Sequence, residues 1–151
     1  MITVGDIMTR NVRTVKPSMD ASELAKLFIE KGYSGFPVVD DSGKFLGLIL
    51  EENLVVKDMK VHLPTTFLLL TGGITFGEKR FEDEMKMIMA STAEGLMTKA
   101  RVILNPSTPV DEVATIVVDK HIGYFPVLDD GKLTGVVTKK DIVRAIALKK
   151  I

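Results

Sequence analysis

Thr138-Lys139-Lys140-Asp141 gathers a hydroxyl, two ammonium groups and a carboxylate at the start of a stretch with helical spacing. A carboxylate at a helix start can accept hydrogen bonds from both hydroxyls of a ribose. A hydroxyl three residues earlier, beside backbone N–H groups that the helix leaves unpaired, suits a phosphate. The lysines add charge at the helix end whose dipole already favours an anion. The same four residues are equally an ordinary cap, with threonine at the N-cap and an acid in the first turn. The motif alone leaves both readings open.

Other chemistries lack their residues. The chain has no cysteine, so disulfides, thiol catalysis and cysteine-held metals are excluded. Its two histidines, His62 and His121, are too few for a histidine metal centre. No serine or threonine nucleophile stands with a base and no catalytic carboxylate pair is evident, so neither an enzyme nor a metal site is expected. Twenty basic and twenty acidic side chains cancel, and there is no basic stripe, so nucleic acid is not an expected partner. The first residues lack the basic and apolar regions of a signal peptide. The most apolar window, 67–74, falls far short of the roughly 20 residues that span a bilayer. A soluble cytoplasmic chain without membrane attachment is expected.

The elements that must position the motif come in two copies. Met8-Thr9, Pro17-Ser18, Lys31, Phe36-Pro37-Val38 and Asp40-Asp41 recur as Met97-Thr98, Pro106-Ser107, Lys120, Phe125-Pro126-Val127 and Asp129-Asp130. After a one-residue deletion, Gly43-Lys44 and Gly47 are answered by Gly131-Lys132 and Gly135. A repeat this long is a folded unit used twice. Each copy reads helix stub, strand, helix, strand, strand, helix. In the first, residues 13–16 are extended and Asp20 with Glu23 forms the N-cap and N3 pair of a helix. Leu24, Leu27, Phe28 and the stem of Lys31 face inward, and Gly32 ends the helix. Strands follow at 36–39 and 45–50, then a helix from Glu51 towards Met59. In the second, 101–104 is extended and Thr108-Pro109 caps a helix with proline at its first position, followed by valines and isoleucines at 113, 116, 117 and 118. Strands at 124–128 and 133–137 precede a helix over 139–150, with Ile142, Val143, Ile146 and Ala147 as its apolar stripe. His121 stands where Gly32 ends the first helix.

Residues 60–93 form an insert between copy one (1–59) and copy two (94–151). Its apolar start, 63–70, is broken by Gly72-Gly73. A helix over 78–89 carries Phe81, Met85, Ile88 and Met89 on one stripe, which packs on the repeats or on a second subunit.

The motifs Asp6-Ile7-Met8-Thr9, Gly32-Tyr33-Ser34-Gly35-Phe36-Pro37-Val38-Val39-Asp40 and Gly135-Val136-Val137-Thr138-Lys139-Lys140-Asp141, in this repeated order, resemble the cystathionine β-synthase (CBS) domain pair, or Bateman module. The resemblance implies an α+β fold, tandem CBS repeats of strand-helix-strand-strand-helix packed about a pseudo-twofold axis. It also implies two clefts for adenosine compounds, each combining the Thr/Ser-x-x-Asp signature of one copy with the first strand and loop of the other. One cleft would then join Val136, Thr138, Lys139, Lys140 and Asp141 to Met8, Arg13, Tyr33, Ser34, Gly35 and Pro37, with Arg13 or Arg144 adding charge. The other would join Asn53 to Val102, Ile122, Gly123, Tyr124 and Pro126. There the aligned signature is Leu50 and Asn53, and Glu51-Glu52 replaces the lysines. Leucine has no hydroxyl, asparagine is a weaker ribose acceptor, and the acids oppose phosphate. This cleft is expected to be empty, weak or selective for a less charged ligand.

The function implied is a regulatory sensor of an adenosine nucleotide (AMP, ADP or ATP), with no required cofactor, acting as a homodimer through a separate partner protein. The alternative is a dimerising scaffold that binds nothing small.

Overall fold

The computed structural model describes residues 1–55 and 91–148. They form α1 (Val4–Ile7), α2 (Ala21–Lys31), β1 (Gly35–Val39), β2 (Phe45–Leu50), α3 (Glu51–Val55), α4 (Ala93–Leu96), α5 (Val110–Lys120), β3 (Tyr124–Asp129), β4 (Lys132–Thr138) and α6 (Lys139–Ala147). The expected insert helix over 78–89, the apolar segment 63–70, the Gly72-Gly73 break and His62 lie outside the described residues. The α+β repeat order is the expected one.

The chain divides into two compact units that exchange their N-terminal stubs. One unit comprises Met1–Thr14, Val39–Gly47 and 99 onward; the other comprises Val15–Val38 and Leu48–Thr98. The first unit is therefore the second copy together with the stub of the first and the turn between β1 and β2, residues 39–47. In it β3 and β4 pair antiparallel, Tyr124 opposite Thr138 and Phe125 opposite Val137, with an irregularity between Val127 and Leu128. Leu104 adds to β3 in parallel, and Thr9 adds to β4 antiparallel. Val4 and Gly5 donate to the carbonyls of Thr108 and Pro106, and Val110 donates to Ile2. These bonds fasten the stub beside the start of α5. The core gathers Val4, Met8, Leu104, Val113, Phe125, Val127, Val137 and Ile142. Apolar area removed from water supplies its stability, at about 25 cal/mol per Å².

The other unit repeats the plan with the second copy's stub. Val15 adds to β1 in parallel, and Thr98 bridges Leu48 of β2. Ala21 donates to Ser91, Ala93 to Met19 and Glu94 to Pro17. Phe28 packs edge-on to Phe36 with ring centroids 4.7 Å apart.

Local expectations need correcting where the exchanged stubs and the solvent intervene. Asp20 is the N-cap of α2, but its side chain makes no capping bond. The Ala21 N–H is met instead by the carbonyl of Ser91. Pro109 is the N-cap of α5 rather than its first helical residue. Lys31 is exposed, so its stem adds nothing to the inward face of α2. On α5, Val118 points to water while Val113 is buried. On α6 the inward face is Ile142 with Ala145, whereas Val143 and Ile146 are more than half exposed. This nine-residue helix packs on β4, α1 and α5 through a narrow stripe, and the apolar residues beyond it stay outside. His121 ends α5 in the left-handed conformation, φ 56°, as Gly32 does for α2 at φ 64°.

Candidate functional site

The turn from β4 into α6 builds the site from its backbone outward. Thr138 is extended, with φ −120° and ψ 170°, and caps α6. The Thr138 N–H donates to Asp141 Oδ2 at 2.8 Å, and the Thr138 hydroxyl donates to the same oxygen at 3.1 Å. This is a capping box. The chain closes the same box at Thr3 and Asp6 of α1, where the Thr3 N–H and hydroxyl donate to Asp6 Oδ2 at 2.9 and 3.1 Å. Capping is therefore one real role of Thr-x-x-Asp here, as its composition allowed.

What distinguishes the second box is its burial. Asp141 is 3% exposed. Its Oδ1 accepts the Thr9 hydroxyl at 3.0 Å and Arg144 Nη1 at 3.1 Å. Thr9 comes from the exchanged stub and is held by two backbone bonds: its N–H donates to Val136 O at 2.9 Å, and Val136 N donates back at 3.0 Å. Gly135 makes that approach possible, because a Cβ there would lie 2.7 Å from Thr9 O and 2.9 Å from the Met8 sulfur. Sequence reading missed Thr9 as a site residue. The recurrence of Met8-Thr9 as Met97-Thr98 was its one signal, and nothing local ties that hydroxyl to a carboxylate 132 residues away.

The loop before β3 closes the other side. Lys139 N donates to Gly123 O at 3.3 Å. The Lys139 stem lies over Gly123, where a Cβ would meet Lys139 Cε at 2.8 Å. Tyr124, buried opposite Thr138, has its phenol pKa pushed well above the ordinary value of 10.0, first by burial and then by the negative charge of Asp141. A phenol protonated in the fold beyond its unfolded pKa stabilises the fold fully below about pH 10, and that contribution drains away as pH rises further. Urea unfolding should show stability falling above about pH 10, with a shallower fall in Tyr124→Phe. Equal slopes in the two proteins would contradict this placement of Tyr124.

The candidate residues thus divide between the units. Met8, Arg13, Val136, Thr138, Lys139, Lys140 and Asp141 lie in one, together with Val102, Ile122, Gly123, Tyr124 and Pro126, which were assigned to the other cleft. Tyr33, Ser34, Gly35, Pro37 and Asn53 lie in the second unit. Within it the geometry of the first copy runs parallel: Leu50 N donates to Asn53 Oδ1 at 2.7 Å, and Glu51 N donates to Ser34 O at 3.1 Å. Asn53 is buried, Leu50 supplies no hydroxyl, and exposed Glu51 and Glu52 stand where the other unit has lysines. The loop lying against each helix start inside its own unit is that of the same copy. Among the described residues, no group of three or more acids or histidines is placed to hold a metal. None of the described helices is long and apolar enough to cross a membrane.

A sequence model of the CBS domain matches this chain twice, over residues 4–59 and 93–148. The chain belongs to the CBS domain family. It is 30% identical over 149 residues to the chloroplastic CBS domain-containing protein CBSX2 of Arabidopsis thaliana, covering 95% of this chain and 63% of the relative. The chain thus spans a little under two thirds of that relative's length. The crystal structure of CBSX2 in complex with AMP superposes with a TM-score of 0.75 at 27% identity, over the full length of both chains. The CBS domain pair of MJ0100, in complex with 5′-methylthioadenosine and S-adenosyl-L-methionine, gives 0.69 at 25% identity, over 99% of this chain and 98% of that one.

Proposed function

We propose that this CBS pair is a regulatory module that binds an adenosine nucleotide at the start of α6 and signals through a separate protein, rather than an enzyme. The observation that carries the reading is the buried Asp141 carboxylate, bonded to Thr138 and flanked by Lys139 and Lys140, in a chain similar to CBS pairs crystallised with AMP and with 5′-methylthioadenosine and S-adenosyl-L-methionine. Asp141 holds the ribose, while Thr138, the lysines and the first-turn N–H groups face the phosphate. Met8, Val136, Gly123 and Tyr124 supply apolar and backbone surface on the same side of that unit. Ligand tightens this arrangement and shifts a population between two states of the module. Tyr33, Ser34, Gly35 and Pro37 belong to the loop beside the Leu50–Asn53 turn, which lacks a hydroxyl and carries acids. That turn selects a less charged adenosine compound or none.

A scaffold that binds nothing small is the second reading, favoured by one observation: Thr138 and Asp141 satisfy each other in a capping box, which is a structural role in itself. Thermal shift against AMP, ADP, ATP, S-adenosylmethionine, NAD and GMP separates the two. Ligand at 100 times its dissociation constant should stabilise by about 2.7 kcal/mol, roughly 5–10 °C, and the shift should vanish in Asp141→Ala. No shift with any adenosine compound leaves the scaffold. In either case we infer a homodimer formed through helix faces such as the exposed Val143 and Ile146 of α6. Light scattering at the mass of one chain would remove that inference.

A further inference from the structure

Resting on the nucleotide reading, we propose that Arg144 determines preference for the 5′ phosphate, and that it waits on Asp141 until a ribose displaces it. A carboxylate has about four lone-pair positions. All four are taken within the chain, two on Oδ2 by the Thr138 N–H and hydroxyl, and two on Oδ1 by Thr9 and Arg144. A ribose diol can therefore enter only by evicting a donor.

The four donors are unequally held. Thr138 is built into the helix cap, and losing its bonds would unmake the start of α6. The Thr9 hydroxyl is carried on backbone bonded twice to Val136, where Gly135 lets the strands meet closely. Arg144 is held by no such frame. Its side chain is 63% exposed, and its ion pair with Asp141 runs along one helix at i,i+3. Only the guanidinium end of this pair stands in solvent, so on departure it is rehydrated at once while the buried carboxylate keeps its other three donors. Arg144 is the donor that leaves.

Once released, it is a guanidinium one turn from the helix start where Lys139 and Lys140 already stand. Its planar fork matches phosphate oxygens two at a time, which a lysine ammonium does not. A 5′ phosphate is tethered to the evicting diol through one sugar ring and one methylene, so the group that displaces Arg144 brings its next partner with it. A nucleoside would evict Arg144 and offer nothing in return. Eviction and phosphate reading are thus one coupled exchange, and the arginine penalises ligands without phosphate while rewarding those that carry it.

Titration calorimetry with adenosine and with AMP tests this on the intact chain, its Arg144→Gln variant and a Thr9→Val control. In Arg144→Gln the preference for AMP over adenosine should fall about tenfold, with adenosine binding unchanged or tighter. Arg144→Lys should recover part of the preference. Thr9→Val removes the other Oδ1 donor without changing charge and should move both ligands together. An unchanged AMP-to-adenosine ratio in Arg144→Gln, or a parallel weakening of both ligands, overturns the assignment of Arg144 while leaving nucleotide binding in place. Failure of the unaltered chain to bind either ligand would overturn the nucleotide reading itself.

Discussion

Phe125→Ala should cost about 3–5 kcal/mol, the usual loss when a buried aromatic ring is cut back to a methyl. Phe125 has no exposed surface, is the second residue of β3 opposite Val137, and belongs to the cluster with Val4, Met8, Leu104, Val113, Val127 and Ile142. Those neighbours come from both ends of the chain, from the exchanged stub at Val4 and Met8 to α6 at Ile142. The cavity therefore lies where six segments meet, and none can collapse into it without dragging its hydrogen bonds along. Domains of this kind have only about 5–15 kcal/mol in total, so the variant would sit close to unfolding at physiological temperature. Urea denaturation measures the loss directly. A change under about 1 kcal/mol would mean that Phe125 is not the centre of this core.

The second large effect needs only one added methyl. Gly135→Ala places a Cβ 2.7 Å from the backbone oxygen of Thr9, closer than nonbonded atoms tolerate. Met8 could swing its sulfur aside. The Thr9 carbonyl cannot, since it accepts from Val136 while the Thr9 N–H donates to the same residue. The stub must then move away from β4, losing these two bonds, drawing Met8 out of the core and separating Thr9 from Asp141. Overpacking together with broken backbone bonds amounts to about 2–4 kcal/mol. Because the damage is centred on the Asp141 carboxylate, ribose-containing ligands should lose affinity in the same variant. Full stability in Gly135→Ala would show that the stub does not approach β4 this closely. Gly135 is needed for space alone. Gly43 and Gly131 are different, since each has open surroundings but a positive φ at its turn, where a side chain is strained whatever the room.

The repeat carried most of the architecture into view before any coordinates. Alternating and helical spacing placed β2 at 45–50 with its observed ends, and α2 behind Asp20. Periodicity of this kind is local, so local residues report it. Element faces were less legible. The apolar spacing of α6 suggested Val143 and Ile146 as inward residues, but which side of a helix is covered depends on what packs there, and Ile142 with Ala145 took that place. Asp20 is the N-cap of α2 as expected, without a capping bond from its side chain, and the first N–H of the helix finds the Ser91 carbonyl, supplied by a segment 70 residues later in the chain.

For the candidate site the division has the same cause. The residue types at 138–141, the lysines beside them, and their replacement by Leu50, Glu51, Glu52 and Asn53 in the first copy were all determined by the sequence by itself, because charge and hydrogen-bonding capacity belong to the side chain. The stub exchange was decided only by tertiary structure. So were the seating of Thr9 on Asp141, the grouping of Gly123 and Tyr124 with Thr138 in one unit, and the occupation of all four acceptor positions of a single carboxylate. Each of these is a meeting of segments far apart in the chain. No spacing rule specifies such a meeting, because it is set by which surfaces bury together once the two copies fold.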